Sequence, residues 1–200
     1  MPPTVIHLLR HGQGEHQLEP LMERIKIHDP SLTGLGLSRC EEFSLTFPRQ
    51  DQIELVCASP LRRTIQTAQY CFGHALRDIK PIVLLPLAQE DTDDPCDTGS
   101  SRGDLLKEFG NLIDLQFTPE DWNSKTGIYA PTAAVLRQRV LELRLWIRNR
   151  PENELVVVGH GGFFHWVTGE VDAHGNQTGI FEVNHNPAAT WLTIPLAMFG

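Results

Sequence analysis

Lysine is scarce in this chain: 4 of its 17 basic residues are Lys and 13 are Arg. Basic charge as a whole is short as well. Seventeen basic against 25 acidic residues leave a formal net charge of −8, so the global basic footprint that nucleic acid requires is absent. Any anion site has to be built locally, and the planar fork of Arg suits phosphate or carboxylate better than Lys does. No apolar run approaches the roughly 18–20 residues that span a bilayer. The opening Met1-Pro2-Pro3-Thr4-Val5-Ile6-His7 has no basic leader and too short an apolar stretch for a signal peptide. Cysteine is limited to Cys40, Cys57, Cys71 and Cys96, with no CxxC pair and no zinc spacing. That pattern predicts buried, reduced thiols in a cytoplasmic protein without nucleic-acid or membrane partners. The phosphate-cradling GxxxxGK[ST] loop is missing, as is a carboxylate-rich magnesium signature. Asp91, Asp93 and Asp94 form a charge run that reads as a solvated loop. The prediction is therefore a site with no metal and no cofactor.

What remains is an ordinary globular composition, 200 residues with 40% hydrophobic and 21% charged, enough for one domain over residues 1–200. Thr4 to Leu9 reads as a strand and Gly34 to Phe47 as a helix. Ile53 to Ala58 reads as a buried strand, followed by Ser59-Pro60 as the capping pair of a second helix. On that helix Leu61, Ile65, Ala68, Phe72 and Ala75 recur at spacings of 4, 3, 4 and 3, one apolar face. Ile82 to Leu85 is another strand. Gln89 to Pro131 is rich in Asp, Gly, Ser, Thr and Pro, with one helix near Leu105 to Phe109. It reads as a lid-like excursion over a site, its Phe117, Trp122 and Tyr129 serving either as pocket wall or as lid packing. Thr132 starts a helix with Leu136, Val140, Leu143 and Ile147 on its apolar face and arginines elsewhere, and Pro151 stops it. Leu155 to Val158 is a near-continuous apolar strand, typical of a parallel sheet covered on both faces. A short helix follows, and Ile180–Val183 and Thr190–Ile194 read as a closing strand pair. Strands alternating with helices predict an α/β fold, three layers α/β/α around a mostly parallel central sheet.

Ligands of open parallel sheets bind at the carboxyl ends of the strands. Three predicted strands end in Arg10-His11-Gly12, in Ser59-Pro60 leading to Arg62-Arg63, and in His160-Gly161-Gly162. A single histidine after a strand is commonly structural, and an Arg pair is commonly a solvated face. Two histidines and several arginines on one rim are harder to explain that way. Arg62 and Arg63 also fall in the first turn of a helix, where the macrodipole disfavours cations by about 0.3–1 kcal/mol each. A bound anion would offset that cost. A neutral imidazole attacking phosphorus, with cations on the phosphoryl oxygens and a carboxylic acid protonating the leaving oxygen, is the chemistry these residue types allow.

The stretches Leu9-Arg10-His11-Gly12-Gln13-Gly14-Glu15-His16, Leu32-Thr33-Gly34-Leu35-Gly36, Ala58-Ser59-Pro60-Leu61-Arg62-Arg63-Thr64-Ile65-Gln66-Thr67-Ala68 and Val158-Gly159-His160-Gly161-Gly162-Phe163 resemble the histidine phosphatase superfamily, the phosphoglycerate mutase-like fold. RHG, SPLxRxxxTA and GHGG in this order form a specific signature that runs essentially end to end. The stretch Gln89 to Ser100 resembles fungal members. The resemblance implies that His11 is the histidine that becomes phosphorylated. It implies that Arg10 and Arg63 bind the phosphoryl group, with Arg62 in a variable slot, and that His160 is the second histidine contacting that group. The proton donor would be Glu90, with Asp91 as the alternative. Gln17 stands near where the family commonly has Asn and would bind phosphate through its longer amide. Gln13, His16 and Gly161 are further pocket residues. His165 is assigned to helix packing and His7 to a satisfied core or edge position. The function so implied is a metal-independent phosphatase acting on a small-molecule phosphate monoester through phosphohistidine. A phosphoglycerate-type mutase, and a repurposed pocket or binding protein on the same fold, stay open as alternatives. Burial would favour the neutral form of Glu90 and nearby arginines the carboxylate, so the sequence leaves that balance undecided.

Overall fold

A computed structural model describes residues 3–77, 81–169 and 191–195. Six strands form one sheet: β1 Val5–Arg10, β2 Leu55–Ala58, β3 Ile82–Leu84, β4 Ile113–Asp114, β5 Glu154–Gly159 and β6 Trp191–Pro195. Their order is β4-β3-β2-β5-β1-β6, with β6 antiparallel to β1 and every other pair parallel. The helices are α1 Leu21–Arg24, α2 Gly34–Thr46, α3 Arg62–Cys71, α4 Arg102–Phe109, α5 Ala133–Arg148 and α6 Gly161–Thr168. The expected limits of β1, β2, β3, β5, β6, α2 and α5 stand within two residues of these bounds, whereas α3 ends at Cys71, short of the expected Ala75, and α4 begins at Arg102, ahead of the expected Leu105. Ile180–Val183 and His185 lie outside the described residues.

Alternation along the strands divides the core into two apolar clusters. Leu9, Val56, Ala58, Ile82, Leu84, Val156 and Val158 face Cys40 and Phe43 of α2, Ile65 and Ala68 of α3, and Leu105 of α4. Ile6, Leu8, Leu55, Cys57, Leu155 and Val157 face Leu136, Val140, Leu143 and Ile147 of α5, and Phe163, Phe164 and Trp166 of α6. This is the three-layer arrangement the sequence predicts, because strands buried on both faces need helices on both sides. The expected apolar faces of α3 and α5 are buried throughout. All four cysteines are buried and unpaired. His7 is a satisfied core histidine: Nδ1 pairs with Thr193 Oγ1 at 2.8 Å and Nε2 with Glu154 Oε1 at 2.7 Å.

Three local expectations are corrected. Ser59 does not cap α3. The N-cap is Leu61, and the first helical amide, Arg62 N–H, is taken by the buried Asp29 carboxylate at 3.0 Å. The excursion is more than a cover, since β4 lies within it and pairs with β3 at the sheet edge. A two-residue strand has no alternation to read, which is why pattern alone missed it. The arginines of α5 do not all lie off its buried face. Arg139 is fully buried, donating through NH2 to the carbonyls of Gln89 at 2.8 Å and Glu90 at 3.2 Å, with its guanidinium 4.2 Å above the Phe163 ring.

Candidate active site

The parallel arrangement carries the ends of β1, β2, β3 and β5 to one rim. At the end of β1 the His11 backbone N–H donates to Gly159 O at 3.0 Å, tying it to the neighbouring strand. His11 Nδ1 lies 2.7 Å from Gly12 O. A carbonyl oxygen only accepts, so Nδ1 carries the proton and Nε2 presents its lone pair. Burial, then the charges of Arg63 and Arg10, hold this imidazole well below the ordinary histidine range, so it is neutral. The Gly12 N–H donates to Thr67 Oγ1 at 3.0 Å, and that hydroxyl donates to Arg63 O at 2.6 Å. The histidine loop is thereby braced on α3.

Arg63 is buried in the first turn of α3. Its NH1 donates to Cys96 O at 2.6 Å, and NH2 donates to Asp97 Oδ1 at 2.8 Å and to His160 Nδ1 at 3.1 Å. Because a guanidinium only donates, His160 Nδ1 is the acceptor and Nε2–H points to Ser59 Oγ, 2.9 Å away. Burial and the Arg63 charge keep this ring neutral as well. Its centroid is 5.2 Å from that of His11. Both His160 nitrogens are thus engaged by protein, and direct contact with a phosphoryl group requires one of these bonds to open. Arg62 points elsewhere, its Nε donating to Glu108 Oε2 at 2.7 Å. Glu108, not a bound anion, offsets the macrodipole cost at that position.

Glu90 arrives from the segment after β3. Its Oε1 accepts from Phe163 N–H at 2.8 Å, in the first turn of α6, and from Asp91 N–H at 3.1 Å. Gly162 makes this approach possible, since a Cβ there would sit 2.7 Å from Glu90 Oε1. Burial first, then the charges of Asp91 and Asp97, push the carboxyl up to about 8, against the pull of Arg63 and the Phe163 amide. Burial and the two carboxylates thus outweigh the arginine and favour the protonated acid. Asp91 turns away, its Oδ2 accepting from Trp166 Nε1 at 3.1 Å.

These groups surround a cavity of about 230 Å³. Arg10, His11, His16, Arg63 and Glu90 line one part of it, and Gln17, Ile25, Thr92, Asp94, Cys96 and Asp97 the rest. His16 is buried with its ring 5.9 Å from His11. Gln17 reaches the cavity, but its Oε1 is taken by Gly14 N–H at 2.8 Å, so its Nε2 group is what remains for an anion. Gly161 packs on Arg10, a Cβ there falling 3.3 Å from Arg10 Nε. Gln13 is not a pocket residue: Thr33 Oγ1 donates to its Oε1 at 2.9 Å, and its carbonyl accepts from Thr33 N–H, so it anchors the start of α2. His165 is buried within α6, away from the cavity. The aromatics of the excursion do not line the cavity either. Trp122 is wholly buried against the α2–α3 core, Tyr129 packs on the same cluster, and Phe117 meets Trp146 edge-on at 5.4 Å.

Sequence reasoning missed Ser59, Thr92, Cys96, Asp97, Lys125 and Arg139, all set close around the site. Lys125 adopts a left-handed backbone with φ 55°. Its buried Nζ has no hydrogen-bond partner among the described residues, and burial followed by the Arg139 charge lowers it to about 8. Asp94, Cys96 and Asp97 bring one ligand atom each to within 4.8 Å of one another. Two of these are poor ligands as they stand, because Asp97 is paired with Arg63 and burial raises the Cys96 thiol to about 11.

The model of the histidine phosphatase superfamily (branch 1) matches residues 6–194. The chain belongs to that superfamily. A Schizosaccharomyces pombe protein named as a probable phosphatase is 31% identical over 160 residues, covering 78% of this chain and 73% of its own. A phosphoglycerate mutase-like protein of Arabidopsis thaliana is 27% identical, covering 80% and 72%. Among solved structures, the ecdysone phosphate phosphatase of Bombix mori, in complex with tungstate, superposes with a TM-score of 0.59 at 16% identity, over 83% of this chain and 76% of its own. That likeness shows a shared fold. Among the described residues no helix is long and apolar enough to cross a membrane.

Proposed function

We propose that this histidine phosphatase is a metal-independent phosphomonoesterase that hydrolyses a small-molecule phosphate ester through a phosphohistidine. The observation that carries the reading is the pairing, across one small cavity, of a neutral His11 whose Nδ1–H is locked on Gly12 O with a Glu90 that keeps its proton to about pH 8. His11 Nε2 attacks phosphorus in line while the P–O ester bond breaks. Glu90 gives its proton to the departing oxygen. Arg10, Arg63 and the Gln17 amide hold the phosphoryl oxygens, and His160 steadies Arg63, so the charge that develops meets donors already in place. In the second half the Glu90 carboxylate takes a proton from water as it attacks the phosphorus of the phosphohistidine. The P–N bond breaks, inorganic phosphate leaves and His11 returns neutral. A covalent route divides one hard displacement into two easier ones. The phosphatase name of the S. pombe relative agrees with this assignment.

The test is trapping by an alkaline, denaturing quench with a labelled phosphate ester. An acid-labile, base-stable phosphoenzyme is expected, and it should disappear in His11→Ala together with turnover, a loss on the order of a thousandfold or more. A folded His11→Ala enzyme with near-normal activity would overturn the mechanism. Turnover that needs a phosphate acceptor other than water would assign the site to phosphoryl transfer.

A further inference from the structure

A phosphate-binding arginine and a leaving-group acid make opposed demands on one small site. Arg63 must present its charge to the phosphoryl group, yet a nearby guanidinium favours the carboxylate form of an acid that has to arrive protonated. Asp97 stands where the two demands meet. It lines the cavity with Arg63 and Glu90. Its Oδ1 takes Arg63 NH2 at 2.8 Å, and its Oδ2 accepts from Thr92 Oγ1 at 2.6 Å, so both carboxylate oxygens are fixed. The adjoining Cys96 carbonyl takes NH1 at 2.6 Å. Residues 96 and 97 thus clamp the two terminal nitrogens of the guanidinium, and Nε is left without a partner among the described residues.

We propose that Asp97 is a positioning residue of this site: it aims the Arg63 guanidinium for the phosphoryl group and sets the charge balance between Arg63 and Glu90. The proposal rests on the phosphatase reading above. The charged groups acting on Glu90 come from every element packed around it. Asp91 and Asp97 belong to the segment after β3, Lys125 to the loop between β4 and α5, Arg63 to α3 and Arg139 to α5, and the Phe163 amide comes from the start of α6. Arg63, Arg139 and Lys125 pull toward the carboxylate, while burial, Asp91 and Asp97 hold the acid. Of the two carboxylates, Asp97 is the one bonded to the phosphate-binding arginine, so it offsets that cation at its source. Its oxygens do not reach the reacting atoms in this arrangement, because both are occupied, and its action passes through Arg63 and Glu90.

Two substitutions separate geometry from charge. Asp97→Asn keeps an oxygen for Arg63 NH2 and removes the charge. Asp97→Ala removes both. The measurements are the pH profile of kcat/KM with an alkyl phosphate and the inhibition constant of vanadate, with Glu90→Gln beside them. In Asp97→Asn the alkaline limb should move down by on the order of one pH unit, the scale on which a neighbouring charge acts, while vanadate binds no more weakly than to the wild type. In Asp97→Ala vanadate should bind about tenfold or more weakly, as expected when a hydrogen bond to a charged group is lost. An unmoved limb in Asp97→Asn, where Glu90→Gln has abolished that limb, overturns the proposal. So does vanadate binding Asp97→Ala as tightly as wild type. Retention of the limb in Glu90→Gln instead overturns the role given to Glu90, and the charge-balance part of this proposal falls with it. Should Asp97→Ala fail to fold, the limb in the near-isosteric Asp97→Asn decides.

Discussion

Replacing Glu90 by Gln tests the chemistry of this site most directly, because the structure fixes both the state of the acid and its supports. At pH 7 a glutamate at its ordinary 4.5 would carry a proton in under about 1% of molecules, whereas one raised to about 8 carries it in roughly nine-tenths. Burial and two neighbouring carboxylates therefore multiply the competent acid by a few hundredfold at neutral pH, by the same arithmetic. Gln retains the shape and an oxygen for the Phe163 amide but has no proton to give. A positioned general acid contributes typically about 10²–10⁴-fold, and an alkyl phosphate, whose alkoxide leaves poorly, should lose that much in the phosphorylation step. An aryl phosphate leaves without much protonation, so its burst should fall by less than about tenfold. Steady-state turnover with either ester can still drop, because water attack uses the same carboxylate as base. The assay is a rapid-quench burst with both esters. In the wild type, kcat/KM for the alkyl ester should hold across neutral pH and decline as pH rises through about 8, since the acid is lost by deprotonation above its raised value. Equal losses of burst rate with the two esters, or an alkaline limb that survives in Glu90→Gln, would refute the reasoning.

Gly162→Ala should harm the same step without touching a charge, since its Cβ would fall 2.7 Å from Glu90 Oε1 and 2.6 Å from Asp91 Oδ1. Alkyl phosphate turnover should drop by about tenfold or more, consistent with the sensitivity of catalysis to misplacement of about 1 Å, and wild-type kinetics would show that the approach of Glu90 to α6 does not matter. A chelator should leave turnover unchanged within about twofold, because arginines and a neutral histidine supply the electrostatics. Loss restored by a divalent ion would implicate Asp94, Cys96 and Asp97 and reverse that account.

How far the sequence carried depended on what kind of information each part holds. β1, β2 and β5 are legible because strands covered on both faces read as near-continuous apolar runs, and α3 and α5 because their apolar faces repeat with helical period. Once those strands are taken as parallel, Arg10-His11, Arg63 and His160 converge by topology. The parts that were missed depend on contacts between distant residues. Arg139 carries no local mark of burial; it is buried because the carbonyls of Gln89 and Glu90 need donors there. Asp29 replaces the expected cap of α3 from a loop more than thirty residues upstream. The motif already set Arg63 apart from Arg62, but only Glu108 on α4 supplies the physical reason that Arg62 turns outward. Gln13 and Gln17 are equally plausible amides, separated by Thr33 holding the first at the start of α2.

The region between Gln89 and Pro131 makes the site preorganised rather than covered on demand. β4 joins it to the sheet, and Trp122 is buried in the α2–α3 core against Gly99, where no Cβ would fit. Gln89, next to the acid, donates through Nε2 to Trp122 O at 3.2 Å. Asp29 accepts from Ser100 N–H and Oγ at 2.9 and 2.7 Å while also holding the first amide of α3. The same carboxylate therefore registers the helix of Arg63 against the segment of Asp97. Donors and acid held this way need no reorganisation as charge develops, which is where electrostatic catalysis gains most. The arrangement also moves the burden of substrate choice. With Trp122 and Tyr129 packed on the core, Ile25 and Asp94 at the cavity wall are among the surfaces left to meet the organic part of an ester. Changes at Ile25 and Asp94 should alter which ester is hydrolysed while the phosphoryl chemistry at the strand ends continues, as expected when one frame hosts many substrates. Comparing a panel of alkyl phosphates on Ile25→Ala and Asp94→Ala, with inorganic phosphate inhibition as the control, separates the two functions. Phosphate inhibition that falls in step with the loss of one particular ester would show that they are not separable.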